Sequence, residues 1–111
     1  KPYNRIDRIN NLILSILTEI NLKYIDLSYL GLVTFTKIDA SPDLKNAKVF
    51  YSVFNMKKDR NLIHIEINRK RKAFKKYLGP KLNIRYTPDL KFYLDDSFNY
   101  GEKISKLINS V

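Results

Sequence analysis

Ile6, Ile9, Ile13, Ile16, Leu17 and Ile20 recur at steps of three and four residues, which puts them on one face of a helix predicted over residues 3–22. Arg5, Arg8, Asn11 and Ser15 fall on its polar side. The pattern then changes: "LGLVTFTKIDA" (30–40) is rich in β-branched and aromatic residues and reads as a strand. "SPDL" (41–44) turns the chain, Pro42 supplying the fixed φ of a turn's second position. In "NAKVFYSVF" (46–54), Ala47, Val49, Tyr51 and Val53 alternate with Lys48, Phe50, Ser52 and Phe54, so a second strand is expected, antiparallel to the first.

Residues 58–78 carry two patterns. "LIHIEI" alternates like a strand, but Ile63, Ile67, Phe74 and Tyr77 fit a helical stripe, and the length favours one helix. Gly79 and Pro80 are expected to stop it, Gly as a left-handed cap and Pro because it cannot continue. "KLNIRYTPDLKFYL" (81–94) reads as a third strand whose Pro88 implies an edge position or a bulge. Ile104, Leu107, Ile108 and Val111 mark a short terminal helix, preceded by Asn99 and Glu102 at capping-box spacing. An antiparallel pair followed by a helical crossover into a third strand implies an α+β fold, a three-stranded mixed sheet with helices packed on one face.

At 111 residues, 44% hydrophobic and 29% charged, the chain is expected to form a single globular domain over residues 1–111. It has no cysteine, which removes disulfides, thiolate metal sites and Cys nucleophiles together and suits a reducing cytoplasm. No apolar run approaches the roughly 18 residues of a membrane span, and no signal-type segment is present. The chain opens on Lys1 rather than methionine, as a trimmed fragment would.

Charge changes the picture more. The net charge is +10, and residues 57–86 carry eleven Lys or Arg against two acids, a net of +9. Such clustering favours a polyanionic partner. Catalytic candidates are few. His64, the single histidine, sits in an apolar stretch and reads as a surface or satisfied structural residue; Asp95 and Asp96 read as a solvated turn or helix start. Three glycines in the whole chain cannot build a usual phosphate loop. The expectation is a protein that is not an enzyme, with no cofactor, no metal and no small-molecule substrate.

The segment "NRKRKAFKKYLG" (68–79) holds six cations and no acid. On a helix, Arg69, Lys72 and Lys76 form one ridge, Lys70 and Arg71 flank it, and Lys75 lies towards the far side of Phe74. Like charges at these spacings repel, whereas a solvated face usually mixes signs, so a polyanion-binding surface is preferred, with steep salt dependence. Lys57, Lys58, Arg60 and Arg85 could widen it. A membrane-surface role is weaker because the apolar strip is narrow. Phe50, Tyr51 and Phe54 could stack bases as an RRM sheet does, but they lack that motif's glycines and read as core.

In order, "RIDRI" at 5–9, "SPDLKNAKVFYSVF" at 41–54 and "LGPKLNIRYTPDLKFYLDDSFNYGEKISKLINS" at 78–110 resemble bacterial ribosome-binding factor A. Ser41, Asp43, Leu44, Ala47, Lys48 and Val49, then Arg85, Pro88, Leu90, Phe92, Asp95 and Gly101, match that family's pattern in type and spacing. The resemblance implies a type II KH-like fold and a non-enzymatic assembly factor, expected as a monomer. Its partners would be the small (30S) ribosomal subunit and 16S rRNA during late maturation, with roles in 5′-end rRNA processing and in the cold. The family commonly kinks its central helix at a small-x-Gly triplet, and the aligned residues here are Arg71, Lys72 and Ala73. A weaker or displaced kink is therefore expected, with phosphate gripped by side chains more than by backbone. The candidate RNA contacts are Arg69, Lys70, Arg71, Lys72, Lys75 and Lys76, then Arg85, Arg5 and Arg8. The alternatives are a general single-stranded RNA or DNA module, and a domain that meets an acidic protein.

Overall fold

The structure, a computed structural model, describes residues 4–95. The expected terminal helix, its Asn99–Glu102 cap and Asp96 lie outside the described residues. Helix α1 (Arg5–Lys23) starts where the Asn4 side chain accepts from the Asp7 amide while the Asp7 carboxylate accepts from the Asn4 amide, a reciprocal cap that satisfies two orphan donors. Its buried face is Ile9, Ile13, Ile16, Leu17 and Ile20. A short 3₁₀ turn (Ser28–Leu30) leads to Gly31 at φ 129°, where a Cβ would lie 2.8 Å from the Asn55 carbonyl oxygen, so this entry to the sheet requires glycine.

Strand β1 (Leu32–Ala40) pairs antiparallel with β2 (Asn46–Phe54). The turn between them is tied by side chains: Ser41 Oγ donates to Asp43 Oδ1 at 2.7 Å, and the Lys45 amide donates to the same oxygen at 3.0 Å. Register slips between Phe35 and Lys37. This bulge at Thr36 lets Val33 and Phe35 before it, and Ile38 and Ala40 after it, all face the core. Strand β3 (Asp89–Leu94) runs parallel to β2 on its other side, giving the order β1-β2-β3. The mixed sheet is as expected, with β3 at an edge. Pro88 precedes the strand rather than interrupting it, and residues 82–88 are bends and coil.

The expected single helix over 58–78 is two helices. α2 (Arg60–Arg69) and α3 (Arg71–Lys81) meet at Lys70, whose φ of −92° and ψ of 5° leave the helical region. The cause is visible in the stripe. Ile63, Ile67, Phe74 and Leu78 are buried, and a continuous helix would bring Lys70 or Arg71 to the same face between them. Burying an unpaired cation costs more than breaking the helix. The Asn68 carbonyl, which accepts from the Lys70 amide at the break, also accepts from Arg71 Nη1 at 3.3 Å. Leu78, not Tyr77, completes the stripe; Tyr77 is exposed and stacks on Tyr24 with ring centroids 4.8 Å apart. Gly79 and Pro80 do not stop α3, which runs to Lys81. Pro80 sits in the last turn, and the closing bond runs from the Leu82 amide to the Leu78 carbonyl.

The core is centred on three rings from three elements. Phe35, Phe74 and Phe92 lie 5.4 to 5.7 Å apart between centroids, in the tilted and edge-on geometries that aromatic quadrupoles favour. A polar clamp holds the helix break against this core. The Asn68 side chain accepts from the Phe92 amide at 2.9 Å and donates to the Phe92 carbonyl at 3.1 Å, behaving as one residue of a fourth strand along the edge of β3. Asn68→Ala strands both backbone groups of a fully buried residue, so the unfolding free energy in a urea titration should fall by about 3 kcal/mol. A loss under about 1 kcal/mol would mean that water replaces the clamp.

Candidate nucleic-acid interface

The helix break and the edge of β3 enclose a cleft of about 710 Å³. Its helix side is His64, Asn68, Arg71, Lys72 and Lys75, and its strand side includes Asn46, Lys48, Asp89, Leu90, Lys91 and Tyr93. Lys48 and Lys91 stand side by side because β2 and β3 pair in parallel register. Among the described residues, five cations thus share the wall with one carboxylate, Asp89. The predominantly positive field suits a polyanion.

The break sorts the basic segment by position. Arg71, Lys72 and Lys75 line the cleft. Arg69 and Lys70 are held on the opposite side: Arg69 Nη1 lies 3.5 Å from Glu66 Oε2, and Lys70 Nζ lies over the Tyr29 ring at 5.7 Å. Tyr29 itself donates to Glu66 Oε1 at 3.0 Å. Its hydroxyl pKa is pushed up by desolvation and by that carboxylate, so it remains a donor at neutral pH. Lys76 and Arg85 are exposed away from the cleft wall, as are Arg5 and Arg8 on α1. Arg85 is not on the third strand as expected; it lies in the bend before β3, over the Tyr86 ring at 5.4 Å.

Lys48, Lys91, His64, Asn68 and Tyr93 are cleft residues that sequence reasoning missed. Each sits on an outward position of a strand or on α2, and only the register of β3 brings them together. His64 is held between Tyr51 Oη, 3.5 Å from Nδ1, and Asn68 Nδ2, 3.4 Å from Nε2. Of the three aromatics weighed as a stacking surface and read as core, only Tyr51 is core; Phe50 is half-buried on the outer face and Phe54 is exposed. Among the described residues no group of three or more His, Cys, Asp or Glu could hold a metal ion. No helix among them is long and apolar enough to cross a membrane.

Lys75 Nζ and Asp89 Oδ1 meet at 2.6 Å. The Lys75 hydrogen bond and charge hold the Asp89 carboxyl below its ordinary value of 3.8, with Arg71 adding a smaller pull. Because the folded-state value is depressed, the pair is intact above the ordinary value and is lost as pH falls through the depressed one.

The helix–strand–strand–helix–helix–strand order, with its mixed sheet and broken second helix, defines a type II KH-like α+β module with a basic cleft. The family model for ribosome-binding factor A matches residues 5–108. The chain belongs to the ribosome-binding factor A family. It is 32% identical over 111 residues to ribosome-binding factor A of Syntrophobacter fumaroxidans, covering 98% of this chain and 95% of that protein. It is also 32% identical to the Desulfatibacillum aliphaticivorans protein, covering 100% and 90%. Among solved structures, ribosome-binding factor A from Thermus thermophilus superposes with a TM-score of 0.70 at 18% identity, over 82% of this chain and 97% of that one. A Thermus thermophilus homology model fitted into the map of a 30S–RbfA complex superposes at 0.60 and 18%, over 74% and 86%. These likenesses agree on the fold.

Asp89→Asn frees Lys75 and removes the one carboxylate that the described residues place on the cleft wall. RNA affinity at low salt, read by fluorescence anisotropy, should rise by about threefold, in line with one unit charge across a solvated gap. An unchanged or weaker affinity would count against the cleft as a nucleic-acid interface.

Proposed function

We propose that this chain is a ribosome assembly factor that binds the small (30S) ribosomal subunit through its 16S rRNA during late maturation. What carries this reading is one observation: in a member of the ribosome-binding factor A family, cations from α3 and from two strands converge on a single cleft. The fitted Thermus thermophilus relative belongs to a 30S complex, and the same partner suits this basic surface. Its role is positional rather than catalytic. Lys and Arg bind phosphates without reading sequence, so selectivity comes from the shape of the ribosomal site. Support of 5′-end processing and of growth in the cold follows from the family resemblance, as does action as a cytoplasmic monomer.

The sorting of cations adds a distinction among the candidate contacts. Arg71, Lys72 and Lys75 make the main phosphate contacts, helped by Lys48 and Lys91. Arg69, Lys70, Lys76, Arg85, Arg5 and Arg8 contribute at the margin.

Co-sedimentation with purified small subunits, large subunits and free RNA over a salt series tests this. Arg71→Ala with Lys72→Ala should lower the slope of log affinity against log salt by about 1.5, and Arg69→Ala should leave it nearly unchanged. Equal binding to all three RNA sources would replace the assembly-factor reading with that of a general RNA module. An equal loss from Arg69→Ala would move the interface off the cleft.

A further inference from the structure

The sheet face turned away from the helices carries its own row of side chains. Register places Lys37 of β1 opposite Phe50 of β2, and Phe50 beside Tyr93 of β3. The Phe50 and Tyr93 centroids are 5.9 Å apart with planes inclined by 33°. Lys37 Nζ lies 5.7 Å from the Phe50 centroid and Lys91 Nζ lies 6.0 Å from the Tyr93 centroid. Lys37 and two neighbouring rings therefore cross the sheet in one line, and Lys91, two residues before Tyr93 on the same strand, brings a second ammonium group to the Tyr93 ring.

This row is continuous with the cleft. Tyr93 and Lys91 belong to both, because the cleft passes around the free edge of β3. We propose that the row from Lys37 to Tyr93 is a second RNA contact, which stacks unpaired bases of a strand leaving the cleft. This inference rests on reading the cleft as an RNA interface. Magnitudes favour it: an ammonium over an exposed ring is worth about 0.5–1 kcal/mol, whereas a base stacked on an aromatic side chain is worth roughly 1–3 kcal/mol. An arriving base displaces each lysine from its ring, and the lysine then meets the phosphate beside that base. Bases inside a duplex have both faces occupied by their neighbours, so the row selects unpaired nucleotides. Single-stranded RNA suits it better than a protein partner, since ring faces flanked by lysines offer little continuous apolar area.

The chain has no tryptophan, so Phe50→Trp introduces a lone indole as a reporter on the row and off the cleft wall. Titration with a short single-stranded oligoadenylate should quench its fluorescence, and a duplex of equal length should not. Phe50→Leu, which keeps apolar bulk without a π-face, should weaken single-strand affinity by about tenfold at unchanged duplex affinity. Tyr93→Phe should bind like the parent. Thermal melting of each variant separates loss of stacking from loss of fold.

Binding of the oligonucleotide with an unmoved indole overturns the row and leaves the cleft standing. Quenching that survives Arg71→Glu with Lys72→Glu removes the cleft and keeps the row. Quenching by small subunits but not by oligoadenylate also overturns the proposal, because the partner of this face is then something other than unpaired RNA.

Discussion

One asparagine side chain sets the geometry of the basic half of the molecule. Asn68 closes two hydrogen bonds with Phe92 on the edge of β3 and a third with the His64 carbonyl. The first two occupy backbone groups that an edge strand would otherwise leave unpaired, at a depth where an unpaired group costs about 1–3 kcal/mol. The third competes with the helical ladder at the point where α2 ends, a recognised cause of bending. The same amide therefore ends one helix, protects the sheet edge and fixes the distance across the cleft.

Helix α3 leaves that joint at an angle set by the rings of Phe74, Phe35 and Phe92. With Phe74 locked in the core, Arg71, Lys72 and Lys75 must face the edge strand. Arg69 and Lys70 must face the 3₁₀ turn, where Glu66 and Tyr29 receive them. Six like charges in one segment would repel one another along a straight helix. The break divides five of them between two surfaces, with Lys76 outside both, and gives each surface its own counterpart: Glu66 on one side and Asp89 on the other.

The parts legible in the sequence are those in which one period runs without interruption. α1 and β2 needed only spacing, and the β2 bounds came out as expected because "SPDL" carries its own turn chemistry. The helix break was written in the gap between Ile67 and Phe74, where Lys70 and Arg71 occupy core-facing phases. Reading it required knowing which face was core, and Tyr77 offered a false completion of the stripe that belongs to Leu78. Leu82, Ile84 and Tyr86 alternate like a strand, yet Thr87 and the following residues return the chain to the sheet only at Asp89, so Arg85 was placed wrongly. In β2 both faces are apolar enough to be buried. Spacing alone cannot say that Tyr51 is inside and Phe50 outside; the helices decide that by covering one face. The pairing of Lys48 with Lys91 depends on a parallel register, which no local pattern encodes.

No glycine stands at the joint between α2 and α3, where the chain has Arg69, Lys70 and Arg71. A glycine there lets backbone amides approach a phosphate closely, with donors already ordered and little entropy left to lose. Arg71 and Lys72 reach further and carry full charges, but fixing a long side chain costs up to about 2 kcal/mol of rotamer entropy. Arg71 offsets part of that cost, because its guanidinium is already held on the Asn68 carbonyl at the cleft wall. Lys72 has no such tether among the described residues and behaves as a mobile point charge. In the proposed interface, a kink built this way would grip by charge at adjustable distance rather than by fixed backbone donors. Such a grip would tolerate variation in backbone path and depend on ionic strength, with selectivity left to the shape of the site it enters.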